Sequence, residues 1–159
     1  MDILSIEHTD FDSVLALNEA CIPNVNLINR EELQWFVDNA AFARVAKIND
    51  RLAGFLIGLR PGTSYQSPNY RWFCDNYENF AYIDRIAVSE WARRKGVAQT
   101  LYELFIQSQP DASALTCEVN LRPPNVGSMI FHEQLGFRQV ASQETNNGEK
   151  EVALMEKSL

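Results

Sequence analysis

Arg93-Arg94-Lys95-Gly96-Val97-Ala98 puts three cations and a glycine into one turn, between an apolar run (Phe80 to Val88) and an amphipathic stretch starting at Val97. A strand–turn–helix of this kind aims several backbone N–H groups and the positive end of a helix dipole at one point, which suits a phosphate. The spacing is neither that of a Walker loop nor that of a Rossmann fingerprint. A solvated basic turn is the competing reading of the triplet. On the preceding strand, side chains at 82, 84, 86 and 88 share one face because strand period is two. Tyr82 and Asp84 therefore point the same way. An Asp inside an apolar strand costs free energy unless it is paired or hydrated. Asp84 is read either as a base or as the partner of an arginine such as Arg71 or Arg122. Glu118, also in a strand, is a second base candidate, and Arg85 points to the opposite face as a structural residue.

The elements that must position these groups follow from periodicity and caps. Ile3, Leu4 and Ile6 suggest a first strand, and Phe11, Val14, Leu15 and Cys21 a helix ended by Pro23. Asn29 caps a second helix, with Glu32 three residues on and Leu33, Phe36, Val37 and Ala40 in one stripe. The runs 41–48 and 52–59 read as a hairpin, and 60–79 as a long polar and aromatic excursion. A strand over 80–88, a helix over 97–109, a strand over 114–119 and a helix over 125–135 closed by Gly136 come next. A hairpin around Asn146-Asn147-Gly148 ends the chain. The expected order is β-α-α-β-β-β-α-β-α-β-β, an α/β arrangement with a mixed sheet of about seven strands and about four helices.

This order resembles the GNAT acetyltransferase fold over nearly the whole chain. The similarity is densest from Tyr82 to Phe137: Ile86-Ala87-Val88 ending the fourth strand, the Arg93-to-Ala98 loop, Asn125 through Ser128 to Phe131, and Leu135-Gly136-Phe137. Ala98 stands where a second glycine is more frequent. The resemblance implies acetyl-CoA as co-substrate and no metal. The pyrophosphate would lie on the N–H groups from Arg94 to Ala98, with Arg93 and Lys95 adding charge and Gly96 allowing close approach. The pantetheine arm would lie in a gap between the fourth and fifth strands, bonded by backbone groups of Ile86, Ala87 and Val88. An N–H at Ile86 would hold the thioester carbonyl, a type of donor worth ~3–4 kcal/mol to the transition state. Asn125 and Ser128 would face pantetheine or its phosphates, with Phe131 against apolar parts. A helix cap is the plain alternative for Asn125.

The resemblance also implies catalytic roles. Tyr82 and Asp84 occupy the places where such enzymes often put a base or a water-holding residue. Where many carry Tyr after the aromatic residue as general acid, this chain has Phe131-His132. An imidazole of unperturbed pKa ~6.5 suits that role, and packing near the helix end is the alternative. His8 is read as structural or solvated. The aromatic segment from Tyr65 to Phe80 is a lid, a homodimer surface or a local packing cluster.

Bulk properties narrow the classes. With 159 residues and 46% hydrophobic content, 1–159 is read as one domain. A net charge of −7 argues against nucleic-acid binding and makes the basic turn stand out. Cys21, Cys74 and Cys117 match no zinc pattern and read as reduced thiols of a cytoplasmic protein. Neither a signal peptide nor a membrane span is legible. The expected activity is transfer of acetyl from acetyl-CoA to a primary amine, on a small molecule or a peptide, by direct attack. The acceptor is expected between the 21–29 loop, the 65–77 segment and the closing hairpin. A non-catalytic acyl-CoA-binding sensor or interaction module is the alternative.

Overall fold

The computed structural model describes residues 1–159. Its seven strands are β1 (Asp2–Ser5), β2 (Phe42–Ile48), β3 (Arg51–Leu59), β4 (Phe80–Val88), β5 (Ala114–Arg122), β6 (Arg138–Thr145) and β7 (Lys150–Ser158). Five helices accompany them: α1 (Phe11–Ala20), α2 (Arg30–Asn39), α3 (Pro68–Asn76), α4 (Val97–Gln107) and α5 (Val126–Gln134). The strands form one mixed sheet in the order β1-β2-β3-β4-β5-β7-β6. Contacts cluster into two units, Met1–Leu59 with Arg85–Pro110, and Arg60–Asp84 with Asp111–Leu159.

In the first unit, Asn29 Oδ1 accepts from the Glu32 N–H while Glu32 accepts from the Asn29 N–H, each at 2.8 Å. This reciprocal cap starts α2 where the sequence signals it. The helix before it stops at Ala20, three residues short of Pro23, with Cys21 as its cap. Hairpin β2–β3 turns through Asn49 and Asp50, both at positive φ (51° and 59°), between the paired Ile48 and Arg51. Two left-handed residues give a turn whose twist matches that of the strands. From Ala53 to Leu59, β3 is buried throughout. Gly58 gives up its side chain to α4: a Cβ there would lie 2.3 Å from Phe105 Cζ.

The second unit holds the one α-helix absent from the expected order. The 60–79 excursion contains α3, so the helices number five rather than about four. Ser67 Oγ accepts from the Tyr70 N–H and Pro68 fills the first turn, where its missing N–H costs nothing. Tyr70 and Phe73 are buried, and their rings meet Phe80 and Tyr82 at centroid distances of 5.4–6.2 Å. Burying each such side chain stabilises by roughly 1.5–3 kcal/mol. Of the three readings of this segment, the structure builds the local packing cluster with those two residues and Phe80. Trp72, Tyr65 and Tyr77 are only half-buried. The Tyr70 hydroxyl donates to the Arg60 carbonyl at 2.7 Å, tying the helix to its leading loop.

Strand β5 pairs in parallel with β4 over three residue pairs, Phe80↔Ala114 to Tyr82↔Thr116, and antiparallel with β7 along its length. Arg122 pins the closing hairpin through Glu144, Glu151 and the Gly148 carbonyl. No helix is long and apolar enough to cross a membrane.

The Gly58–Phe105 approach makes a direct prediction. Gly58→Ala forces Phe105 off its seat and is expected to cost about 1–3 kcal/mol, read from urea unfolding. An unchanged midpoint would show that α4 yields freely.

Candidate active site

In the first unit, the basic turn has the form its composition suggests. Gly96 is the N-cap of α4 at φ 77°, and a Cβ there would meet nothing within 4 Å, so the backbone lies open to solvent. Arg94 is also left-handed (φ 60°), and Arg93, Arg94 and Lys95 are exposed. The first helical bond runs from the Thr100 N–H to the Gly96 carbonyl at 2.9 Å. The N–H groups of Val97 and Ala98 therefore precede the intrahelical ladder and point along its axis. Lys95 Nζ lies 5.1 Å and the Arg51 guanidinium 4.4 Å from the Trp91 ring centroid, a cation–π arrangement that holds both cations beside the turn. Open N–H groups, exposed cations and an unobstructed glycine backbone fit the phosphates of an acyl-CoA.

Along β4, Asp84, Ile86 and Val88 are half-buried while Ile83, Arg85 and Ala87 are buried, the alternation that period two requires. Arg85, 5% exposed, donates to Asn18 Oδ1 at 2.9 Å and the Asn26 carbonyl at 3.0 Å, and its guanidinium lies over the Phe36 ring. Its structural role is to hold the 21–29 connection in place.

The second unit brings together Tyr82, Asp84 and Glu118. The Tyr82 hydroxyl donates to Glu118 Oε2 at 2.6 Å, and Tyr82 is wholly buried while Glu118 is half-buried. Burial, and next the charge of Asp84, push the Glu118 carboxyl up to about 7; hydrogen bonds from Tyr82 and Asn69 and the charge of Lys150 pull the other way. Burial, then the charges of Glu118 and Asp84, push the Tyr82 phenol well above its ordinary range, so it stays a donor. Arg122 bonds the hairpin glutamates Glu144 and Glu151, and Arg71 donates to Gln66. What the sequence does not reveal is that Glu118 is the most perturbed carboxyl of the cluster.

On α5, Asn125 Oδ1 caps the helix by accepting from the Ser128 N–H at 3.3 Å. His132 is 4% exposed, and its Nδ1 lies 2.7 Å from the Ser128 carbonyl, which can only accept. Nδ1 therefore carries the proton. Burial lowers the imidazole pKa, with the Ser128 bond opposing. At neutral pH the ring is the neutral tautomer packed edge-on between Phe131 and Phe137. The thiols of Cys21 and Cys117 are both pushed up by burial, the first against the charge of Arg93.

The model of the acetyltransferase (GNAT) family matches residues 11–137. The chain belongs to this family, the acyl-CoA-dependent N-acetyltransferases. Among solved structures it resembles Ard1 from Thermoplasma volcanium, at 16% identity and TM-score 0.80, over 99% of this chain and 97% of that one. It also resembles the ribosomal-protein-S18-alanine N-acetyltransferase of Escherichia coli (18%, 0.73, 99% and 92%). A third likeness is Arabidopsis thaliana Naa50 in complex with the bisubstrate analogue CoA-Ac-MVNAL (14%, 0.75, 99% and 98%). At these identities the likeness is one of fold. No curated protein sequence matches the chain.

The Glu118 shift has a thermodynamic signature. An unfolded carboxyl ionises near 4.5, the folded one near 7, so between these values the folded state binds more protons. Stability contributed at this residue then falls as pH rises from 4.5 to about 7 and stays lost above. Glu118→Gln should therefore gain on the wild type across that window, read as urea midpoints at pH 4.5, 6 and 8. A pH-independent difference would contradict the assignment.

Proposed function

We propose that this chain moves an acetyl group from acetyl-CoA to a primary amine, with Glu118 as general base. The observation that carries the reading is the half-buried Glu118 carboxylate, held at 2.6 Å by Tyr82 and poised near neutrality beside Asp84. A base is most effective when its pKa lies close to the working pH. The cationic amine first gives a proton to Glu118, directly or through a water; the neutral nitrogen then attacks the acetyl carbonyl carbon, and as the C–S bond breaks the surplus proton on nitrogen passes to the departing sulfur, so that CoA leaves as the thiol and Glu118 returns its proton to solvent.

Tyr82, being fully buried, positions the carboxylate, and Asp84 raises its basicity through charge. His132, neutral and packed, holds α5 rather than donating a proton. Direct attack suits a chain whose two partly or fully buried thiols, Cys21 and Cys117, are held in the unreactive protonated form.

For the donor, we assign the pyrophosphate to the N–H groups from Arg94 to Ala98, with Arg93 and Lys95 adding charge. The pantetheine amides go to Ile86, Ala87 and Val88. Asn125, Ser128 and Phe131 are kept as further CoA contacts on family grounds, Asn125 serving as a cap as well. The whole of 1–159 acts as a single acetyltransferase domain in this reading, supported by a family match that includes residues of both units. Free thiols and acetyl-CoA chemistry together favour a cytoplasmic setting.

The acceptor is a cationic amine, because Asp84 and Glu118 face it with carboxylates. Two structural neighbours are named for a ribosomal-protein alanine and for a CoA-Ac-MVNAL complex. A peptide amine is therefore the first acceptor to test, ahead of small polyamines.

Two measurements test the assignment. Gly96→Glu puts bulk and negative charge into the phosphate cradle at a left-handed residue, and should abolish CoA binding by calorimetry while the fold survives; retained affinity would sink the donor site. In free-thiol assays over an amine panel, wild-type kcat should rise with pH through about 7, as the Glu118 carboxylate forms, and level off above. Glu118→Gln should lose that limb and about 10²–10⁴-fold in kcat. Turnover unaffected by the substitution would remove Glu118 from the chemistry.

A further inference from the structure

Trp91 stands in the short turn Glu90–Ala92, a single turn of 3-10 helix between β4 and the basic turn. Its backbone is fixed on both sides. Ser89, two residues earlier, donates its N–H to the Ala53 carbonyl at 2.8 Å and its hydroxyl to the Leu52 carbonyl at 3.0 Å; Ala92 is buried. Those two carbonyls follow Arg51 directly at the start of β3. The Arg51 guanidinium comes to lie 4.4 Å from the centroid of the half-buried Trp91 ring, and Lys95 Nζ 5.1 Å from it. All three residues belong to the first unit. Arg51 and Lys95 are exposed and neither forms an ion pair, in a chain where Asp and Glu outnumber Lys and Arg by 21 to 14. A cation held by a ring face keeps N–H donors for a further partner.

We infer that Arg51 and Lys95, held by Trp91, form a subsite for the 3′-phosphate on the ribose of acyl-CoA, with Trp91 as the positioning residue. The inference rests on the assignment of the diphosphate to the N–H groups from Arg94 to Ala98. CoA carries two separate anionic groups, and those N–H groups serve only one of them. Lys95 belongs to the same turn, yet its ammonium is drawn to the Trp91 ring, and the ring joins it to Arg51 on another hairpin. The cationic surface thus extends past the diphosphate cradle to a second place. A phosphomonoester, with about −1.5 to −2 charges at neutral pH, suits two unpaired cations, one of them the planar fork of an arginine. Long basic side chains lose rotamer freedom when they close on an anion, and the ring has ordered both beforehand. A mere brace between the β2–β3 hairpin and the turn would need no positive charge at either position.

Calorimetry on the full chain, with CoA and with 3′-dephospho-CoA, tests the assignment. Wild type should bind CoA about ten-fold more tightly than 3′-dephospho-CoA. Arg51→Gln should cut that preference to about two-fold, and Trp91→Leu should do the same although it removes no charge. Both variants should hold 3′-dephospho-CoA within about two-fold of wild type, because the contact they lose is one this ligand never makes. Trp91→Phe keeps a ring beside the cations and should restore most of the preference. Should Trp91→Leu fail to fold, Arg51→Gln and Trp91→Phe carry the comparison. Equal wild-type affinity for the two ligands, or a preference that Arg51→Gln leaves intact, overturns the subsite. A preference intact in Trp91→Leu, with only its urea midpoint lowered, makes the ring a brace and overturns its positioning role. CoA affinity retained in Gly96→Glu counts instead against the diphosphate cradle, whichever way the preference falls. Binding of neither ligand by wild type overturns both.

Discussion

A carboxylate drawn partly out of water beside a second carboxylate persists only where donors converge on it, and the unit formed by 60–84 and 111–159 is arranged around that requirement. Glu118 would be better solvated on a loop. Here it sits on β5, where the Tyr82 hydroxyl hydrogen-bonds it and the charge of Lys150 favours its ionised form. That donor needs its own support, and Tyr82 is locked by contact with Tyr70 and Phe73. The aromatic cluster thus has a purpose beyond burial: it makes rigid the wall from which the phenol donates. Burial and Asp84 push one way, the donors the other, and the balance leaves the group near neutrality rather than locked in either state.

The basic turn solves the opposite electrostatic problem. Arg93, Arg94 and Lys95 stand in water, where holding three like charges together costs little, and backbone N–H groups supply direction without needing any further side chain. Their unit also shows what burying a cation entails. Arg85 is removed from solvent only because Asn18, the Asn26 carbonyl and the face of Phe36 take the place of water. On neighbouring positions of β4, Asp84 is half-buried and Arg85 is turned into the packing, the alternation that strand period imposes.

Much of this was legible residue by residue. The capping box of α2, the hairpin turn at Asn49-Asp50, the basic Gly-containing turn before α4 and the alternation from Ile83 to Val88 all arise from interactions within a few residues, which composition and spacing encode directly. Helix α3 was missed although its start signal, Ser67-Pro68, and its stripe, Tyr70, Phe73 and Tyr77, stand in the sequence. Asn69, Arg71, Asp75 and Asn76 dilute the periodicity, and so many aromatics in a polar stretch read as a loop. His132 could be weighed but not decided, since an imidazole's protonation follows its burial and its partners.

The sequence by itself determined the class of fold, the basic Gly-containing turn and the strand that carries Asp84, because local periodicity, capping and backbone conformation depend on near neighbours in the chain. Only the tertiary structure decided which carboxyl is tuned and by what. Glu118 lies 36 residues from Tyr82 and farther still from Asn69, and its basicity is set by the water it loses and the charges it gains once those segments meet. Desolvation is a property of the assembled fold, and no spacing in the chain records it.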